Sequence, residues 1–438
     1  MKAALILISV VASLHAVSGA PGLYSDGYDY CQAPKPSKAG YKPMPNARLA
    51  HVQLVVRHGD RAPVYPLVIE NDVSWDCDEV KEISRLTGNY KRTKYDSGDF
   101  EYKVMIPEKN ALSQNFWNGT CLNGQLTSKG KLQHMELGNT LRQIYVEKMK
   151  YLPKKLKDPN MIYVRSSDVG RTRQSAQSVV TGLYPVKDRH IHGSGIPIYF
   201  EPNEIETIKF NKGICPRFVQ IAEAMIKTPY YQNYYKSAQP LKKQLDEILA
   251  PESLHWPDNT MVAYMDSMRT RLCHNKPLPC KNGKCVTKKM TDQLFRFIDQ
   301  EYTYTHRDAK LADQGNAVIL GWFFRDIQER MVKASKNRHS SPPLEIFSGH
   351  DDTVQGLLGL MRSKDMRWPP LASNILFELW EKKDRSYHVR VLFNGKVLKV
   401  QNEWCNMNSC PLNRFIKFFA SKLPTDKNQC QANLEISN

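Results

Sequence analysis

The chain has 438 residues, 41% of them hydrophobic and 24% charged, which excludes a disordered or fibrous polypeptide and exceeds what one hydrophobic core usually supports. Its formal net charge of +18 raises nucleic acid as a partner, but no binding motif and no basic helical stripe with interleaved aromatics accompanies it. No nucleic-acid partner is therefore expected, and the positive field is read as attraction for anionic ligands together with ordinary surface solvation.

Residues 1–20 combine Lys2, an apolar run over 3–12 and the small residues Ser18-Gly19-Ala20, the pattern of a cleavable secretory signal. A membrane anchor is the competing reading, but that run is too short to span a bilayer comfortably and no later segment could span one, so no membrane span is expected after signal removal. Residues 21–45, rich in Pro, Lys, Gly and Tyr, read as an extended lead-in pinned by Cys31. Ten cysteines, an even number, are consistent with up to five disulfides in an oxidising compartment, and hence with a secreted or lumenal protein, lysosome-like or Golgi locations included. Cys273, Cys280 and Cys285 with His274 look superficially zinc-like, yet no C-x-x-C pair occurs, and neither a metal nor a cofactor is expected. Asn118-Gly119-Thr120 is a sequon that predicts glycosylation at Asn118.

Residues 49–56 are apolar and β-branched enough for a buried strand. The strand runs into Arg57-His58-Gly59-Asp60-Arg61-Ala62-Pro63, where Gly59 and Pro63 turn the chain. Two arginines and a histidine thus stand at a strand's carboxyl end, where open α/β sheets build ligand crevices. Guanidinium forks match phosphate oxygens, and a glycine beside the histidine lets a ligand approach the backbone. Between two permanent cations, His58 stays neutral, and so nucleophilic, in acid.

Residues 67–120 are polar without a sustained period and read as an excursion over the crevice. Thr127 caps a helix reaching to about residue 150, with Leu137, Leu141, Ile144, Tyr145 and Lys148 along one face. A second strand over 161–164 ends on Arg165, and Ser166, Ser167 and Asp168 supply N-cap chemistry for the helix that follows. Arg165 therefore stands where a strand end and a helix N-terminus both favour an anion. Residues 187–314 are mostly helical and read as an inserted, mainly α domain. Within them, 269–289 holds seven basic residues and no acidic one, which suits a polyanionic substrate or a plain solvated surface. An amphipathic helix over 316–336 precedes a third strand, 344–347, that ends in Ser348-Gly349-His350-Asp351-Asp352-Thr353.

The pattern R-H-G-x-R-x-P at Arg57–Pro63, taken with His350-Asp351, resembles the two signatures of the histidine acid phosphatases, from about residue 46 to the end. The resemblance implies an α/β fold: a mixed, mainly parallel sheet with helices on both faces, formed by 46–186 and 315–438, plus the smaller α domain. It also implies an acid phosphatase acting on phosphate monoesters, with His58 as nucleophile forming a phosphohistidine and Asp351 as general acid. Arg57, Arg61, Arg165 and His350 would bind the phosphate; the segment from Arg165 through Arg171 to Ala176 looks like the family's third phosphate-binding arginine with its following helix. Cys405 and Cys410 resemble a short-range bridge of animal members. Asp352 departs from the family, which often has threonine there, and an extra carboxylate beside the site would alter its pH response. Asp266-Ser267-Met268, Cys273-His274-Asn275 and Phe377-Glu378-Leu379-Trp380 are similar to the branch containing 2-phosphoxylose phosphatase, so activity on the glycosaminoglycan linkage region is the alternative. A phosphohistidine mutase is disfavoured by the signal and by His350-Asp351. An inactive secreted binding protein is the reading from another class, against which no candidate catalytic position is missing.

Overall fold

Strand β1, Ala47–Arg57, is the spine of the molecule and is buried from Leu49 to Arg57. It lies parallel to β3 (Leu344–Gly349), which lies parallel to β2 (Ile162–Ser166); on its other side it pairs antiparallel with β4 (Asn374–Lys382). β4 pairs antiparallel with β5 (Tyr387–Phe393), which carries the short β6 (Lys396–Val397) and β7 (Cys410–Pro411). The order is β6-β5-β4-β1-β3-β2. The computed structural model describes residues 27–65, 73–77, 117–191, 195–211, 213, 215–249, 260–337, 341–426 and 428–431. The expected signal, the start of the lead-in and most of the 67–120 excursion lie outside them.

The sheet is mixed, as expected, but its parallel pairing is confined to the β1-β3-β2 half, and every pairing from β1 outward through β4 is antiparallel. The carboxyl ends of the three parallel strands therefore share one edge, where the two sequence signatures meet. Val52, Leu54 and Val56 of β1 pack with α1 (Ser128–Leu141) and α2 (Gly170–Leu183), while Val55 packs with α7 (Ala312–Lys336) and α8 (Asp351–Leu360). Burial on both faces explains why apolar residues occupy both faces of β1, while its polar His51 and Gln53 are buried too.

Among the described residues, four α-helices run through the segment expected to form an insert: α3 (Arg217–Ile226), α4 (Pro229–Leu249), α5 (Thr260–Cys273) and α6 (Lys288–Thr303). Leu245, Tyr264, Met268 and Phe295 build a core among α4, α5 and α6 that also takes in Tyr30 and Trp368. Disulfides join Cys31–Cys273, Cys77–Cys121, Cys215–Cys430, Cys280–Cys285 and Cys405–Cys410. The zinc-like trio is thus wholly half-cystine. Asn118 is exposed in a two-residue strand.

On the far part of the sheet, Glu378 is buried and accepts hydrogen bonds from Tyr41 (2.7 Å), Tyr145 (2.5 Å), Trp380 Nε1 (3.0 Å) and Arg390 Nε (2.6 Å). Glu378→Leu strands the buried Arg390 guanidinium without its counter-ion. It is expected to cost about 3–5 kcal/mol of stability in a denaturant titration; a loss under ~1 kcal/mol would show the pair to be expendable.

Candidate active site

The first signature sits where β1 stops. The backbone of its first two residues is tied to neighbouring segments: Arg57 N–H donates to Ser373 O (2.9 Å) and His58 N–H, one residue past the strand, to Gly349 O (3.0 Å). The following turn is pressed on the start of α1. A Cβ at Gly59 would lie 2.4 Å from the carbonyl oxygen of Gly130, so this glycine makes room for the protein's own backbone. That corrects the expectation that it makes room for a ligand. Asp60, fully buried, accepts from Thr127 Oγ1 (2.6 Å), contacts His274 Nε2 at 2.6 Å and gives its N–H to Gln133 Oε1 (2.8 Å). Thr127 caps α1 as expected, accepting from Gly130 N (3.2 Å), and anchors the signature loop with the same hydroxyl.

His58 is buried, with Nδ1 at 2.9 Å from Gly59 O. A carbonyl only accepts, so the proton belongs on Nδ1 and the lone pair on Nε2. Burial, then the charges of Arg171, Arg57 and Arg61, hold the imidazole well below its ordinary pKa. Arg57, equally buried, donates through Nη2 to Tyr30 Oη (2.8 Å) and Asp351 Oδ2 (2.9 Å), and through Nη1 to Pro369 O. Arg61 donates to Asp266 Oδ1 (2.7 Å), whose other oxygen takes Val64 N–H (2.7 Å).

β3 delivers the second signature to the same edge. His350 Nε2 is 2.9 Å from Ser167 Oγ and its Nδ1 is 3.4 Å from Arg171 Nη2; its ring lies edge-on to that of His58, centroids 5.6 Å apart. Asp351 opens α8. Burial opposes its ionisation, but Arg57, Arg61 and their cationic neighbours outweigh that and hold its carboxyl below the usual range. Asp352 behaves oppositely. Burial and the adjacent Asp351 push it up to about 6, although it accepts Phe210 N–H (2.9 Å) and Thr353 N–H (2.7 Å).

Arg165 does not join them. The pleat of β2 turns Ile162 and Val164 to the α1–α2 layer and Arg165 to the opposite face. There it donates to Glu201, Glu206 (3.2 Å) and Thr207 Oγ1 (2.8 Å), and lies over the Phe323 ring of α7. The arginine that lines the cleft is Arg171, in the first turn of α2, together with Tyr30, Arg61, Asp266, Asp351 and Asp352. Arg171 pairs with no carboxylate among the described residues, and burial beside Arg61 pushes its guanidinium down to about 10. Arg57 and His58 are buried beside these walls, Arg57 in contact with Tyr30 and Asp351. Ser166, Ser167 and Asp168 do not cap α2, because Ser167 is engaged by His350 and Thr172 instead.

These strand-end placements agree with an independent finding: residues 48–394 match the model of the histidine phosphatase superfamily (branch 2). The chain belongs to that family. Counting factor 60 of Dictyostelium discoideum is 31% identical over 425 residues, covering 95% of this chain and 94% of that protein. Human 2-phosphoxylose phosphatase 1 is 25% identical over 406 residues, covering 89% and 81%. Among solved structures, the phytase of Citrobacter braakii superposes with a TM-score of 0.57 at 16% identity, over 87% of this chain and 99% of its own, a likeness of fold. This histidine phosphatase is thus a phosphatase enzyme.

The rest of the site drew on positions with weak sequence signals. Tyr30 comes from the lead-in and Asp266 from α5, noted only for its likeness to one branch. The basic tract does not line the cleft. Arg269 and Arg271 are fully buried, the former among the rings of Tyr30, Phe295 and Trp368. Lys276 donates to Ser74 O (2.6 Å) and Lys284 pairs with Glu247 (2.8 Å).

Proposed function

We propose that the protein is a secreted or lumenal acid phosphatase that hydrolyses phosphate monoesters through a phosphohistidine on His58. The observation that carries the reading is the cationic cluster around an imidazole held neutral. Arg57, Arg61 and Arg171 each keep a buried Nε–H with no acceptor among the described residues, a set of donors suited to phosphate oxygens. His58 Nε2 attacks phosphorus, the P–O bond to the alcohol breaks, and Asp351 gives the departing oxygen its proton. An incoming phosphate competes with Asp351 for the Arg57 donor and screens the field that keeps the carboxyl ionised, so the acid becomes available as substrate binds. Water then attacks the phosphohistidine while Asp351 takes its proton back, and His350 steadies the phosphoryl oxygens beside Arg171. Secretion is supported by the signal-like residues 1–20 and the five disulfides. The decisive assay is release of phosphate from glycerol 2-phosphate at acid pH by purified protein, with His58→Ala as the blank; equal rates would end the reading.

Asp352 sets a pH prediction. Its carboxyl, displaced to about 6, is neutral below that pH and negative above it, where it repels a phosphate dianion. kcat/KM is expected to fall as pH rises through that region, and Asp352→Asn to recover about tenfold at neutral pH. A variant profile superimposable on the parent would assign the alkaline limb to another group.

A further inference from the structure

The cleft that Arg61 and Arg171 line is one end of a single cavity of about 620 Å³ that extends between α3, α5 and α7. We propose that this cavity is a leaving-group subsite for phosphomonoesters carrying a single long alkyl or acyl chain. The proposal rests on the phosphomonoesterase reading and names the substrate class of that same site.

The charges are all at one end or already engaged. Arg61 and Arg171 stand at the phosphate end, and no other arginine or lysine lines the cavity among the described residues. Asp266 is held by Arg61 and Val64 N–H. Glu301 accepts from Tyr231 Oη (2.6 Å) and Tyr234 Oη (3.1 Å), and burial pushes its carboxyl up. A polyanion such as an inositol polyphosphate finds no partner here for its second and third phosphates. It finds carboxylates instead.

Much of the remaining wall is apolar, with Phe218, Met225 and Ile226 of α3, Val262 and Met265 of α5, and Ile319 of α7; among its polar members, Thr305 Oγ1 donates to Glu301 O (2.9 Å), His306 Nδ1 to Asn316 Oδ1 (2.7 Å) and Asn316 Nδ2 to His306 O (2.7 Å). A sugar would place most of its hydroxyls against the apolar side chains, and would have to compete with the bonds that Tyr231, Thr305, His306 and Asn316 already make, at a cost for each hydroxyl left unpaired. A hydrocarbon chain suffers no such penalty, and the thioethers of Met225 and Met265 adapt to its bends. Ile226 both lines the cavity and is 41% exposed, so the apolar wall continues to solvent and a chain longer than the cavity has an exit.

Binding separates this inference from the catalytic reading. Ethyl-, butyl- and octylphosphonate, which cannot be hydrolysed at a P–C bond, are titrated calorimetrically into the full-length protein. Affinity is expected to rise about tenfold or more from ethyl to octyl, with an increasingly negative heat-capacity change. Phe218→Asp collapses that ratio, and Ile226→Glu, at a position where a charge reaches water and folding tolerates it, does so independently. Ethyl and octyl affinities within twofold of each other, or inositol hexakisphosphate binding more tightly than octylphosphonate, would overturn the subsite. Turnover of glycerol 2-phosphate is measured alongside. If that turnover is present and the chain-length dependence absent, the subsite alone fails; if no ester is hydrolysed the phosphatase reading fails, and the phosphonates still decide the cavity.

Discussion

His58→Ala is expected to lower kcat at least ~10⁴-fold, the scale on which removal of a covalent nucleophile acts. On the proposed mechanism the substitution removes the lone pair that meets phosphorus and leaves Arg57, Arg61 and Arg171 in place, so inhibition by inorganic phosphate should change only a few-fold. In the parent enzyme, rapid quenching into alkali during turnover of a labelled ester should trap label on His58, as an adduct stable to base and labile to acid. Retention of more than about 1% of kcat, or label on another residue, would remove His58 from the covalent step. The control is thermal unfolding, because His58 is buried and its truncation leaves a small void.

Arg171→Gln and Arg165→Gln are expected to act on different quantities. Arg171 lines the cleft, pairs with no carboxylate among the described residues and has its charged form disfavoured by burial and by Arg61. Its loss should lower kcat/KM by about 10²–10³, as for other donors aimed at developing charge. Stability should hold or rise, because the folded state is relieved of a cation it disfavours; the guanidinium is charged below about 10, so this relief is present across neutral and acid pH. Arg165→Gln instead leaves Glu201 and the fully buried Glu206 without their cation. It should cost about 3–5 kcal/mol of stability while kcat/KM of the folded fraction stays within a few-fold. The reverse pattern would return the third phosphate arginine to Arg165.

The contrast between these two arginines shows what kind of information the primary structure carries. Both lie in one short stretch that resembles the family, six residues apart, and spacing along the chain does not tell which of them meets phosphate. The pleat sends Arg165 to the α7 face, and the phase of α2 sends Arg171 to the cleft. Choosing between them requires knowing which edge and face of the sheet carry the site. Gly59 is a similar case. A glycine in that position is visible at once, but whether a ligand or the backbone of Gly130 fills the missing Cβ depends on how α1 packs.

From its residues alone, then, this chain declares the strand-turn segment at Arg57–Arg61, the His350-Asp351 pair after another strand, the helix capped by Thr127 and an even set of cysteines. Each is a short-range pattern written in neighbouring positions, where covalent connection keeps spacing and geometry together. The tertiary structure decided the partners: Tyr30 and Asp266 on the arginines, Arg171 in the cleft, the antiparallel half of the sheet, the disulfide pairs and the burial of Arg269 and Arg271. Those contacts join residues far apart along the chain. They follow only from the simultaneous burial of every apolar face, which no single stretch of sequence encodes.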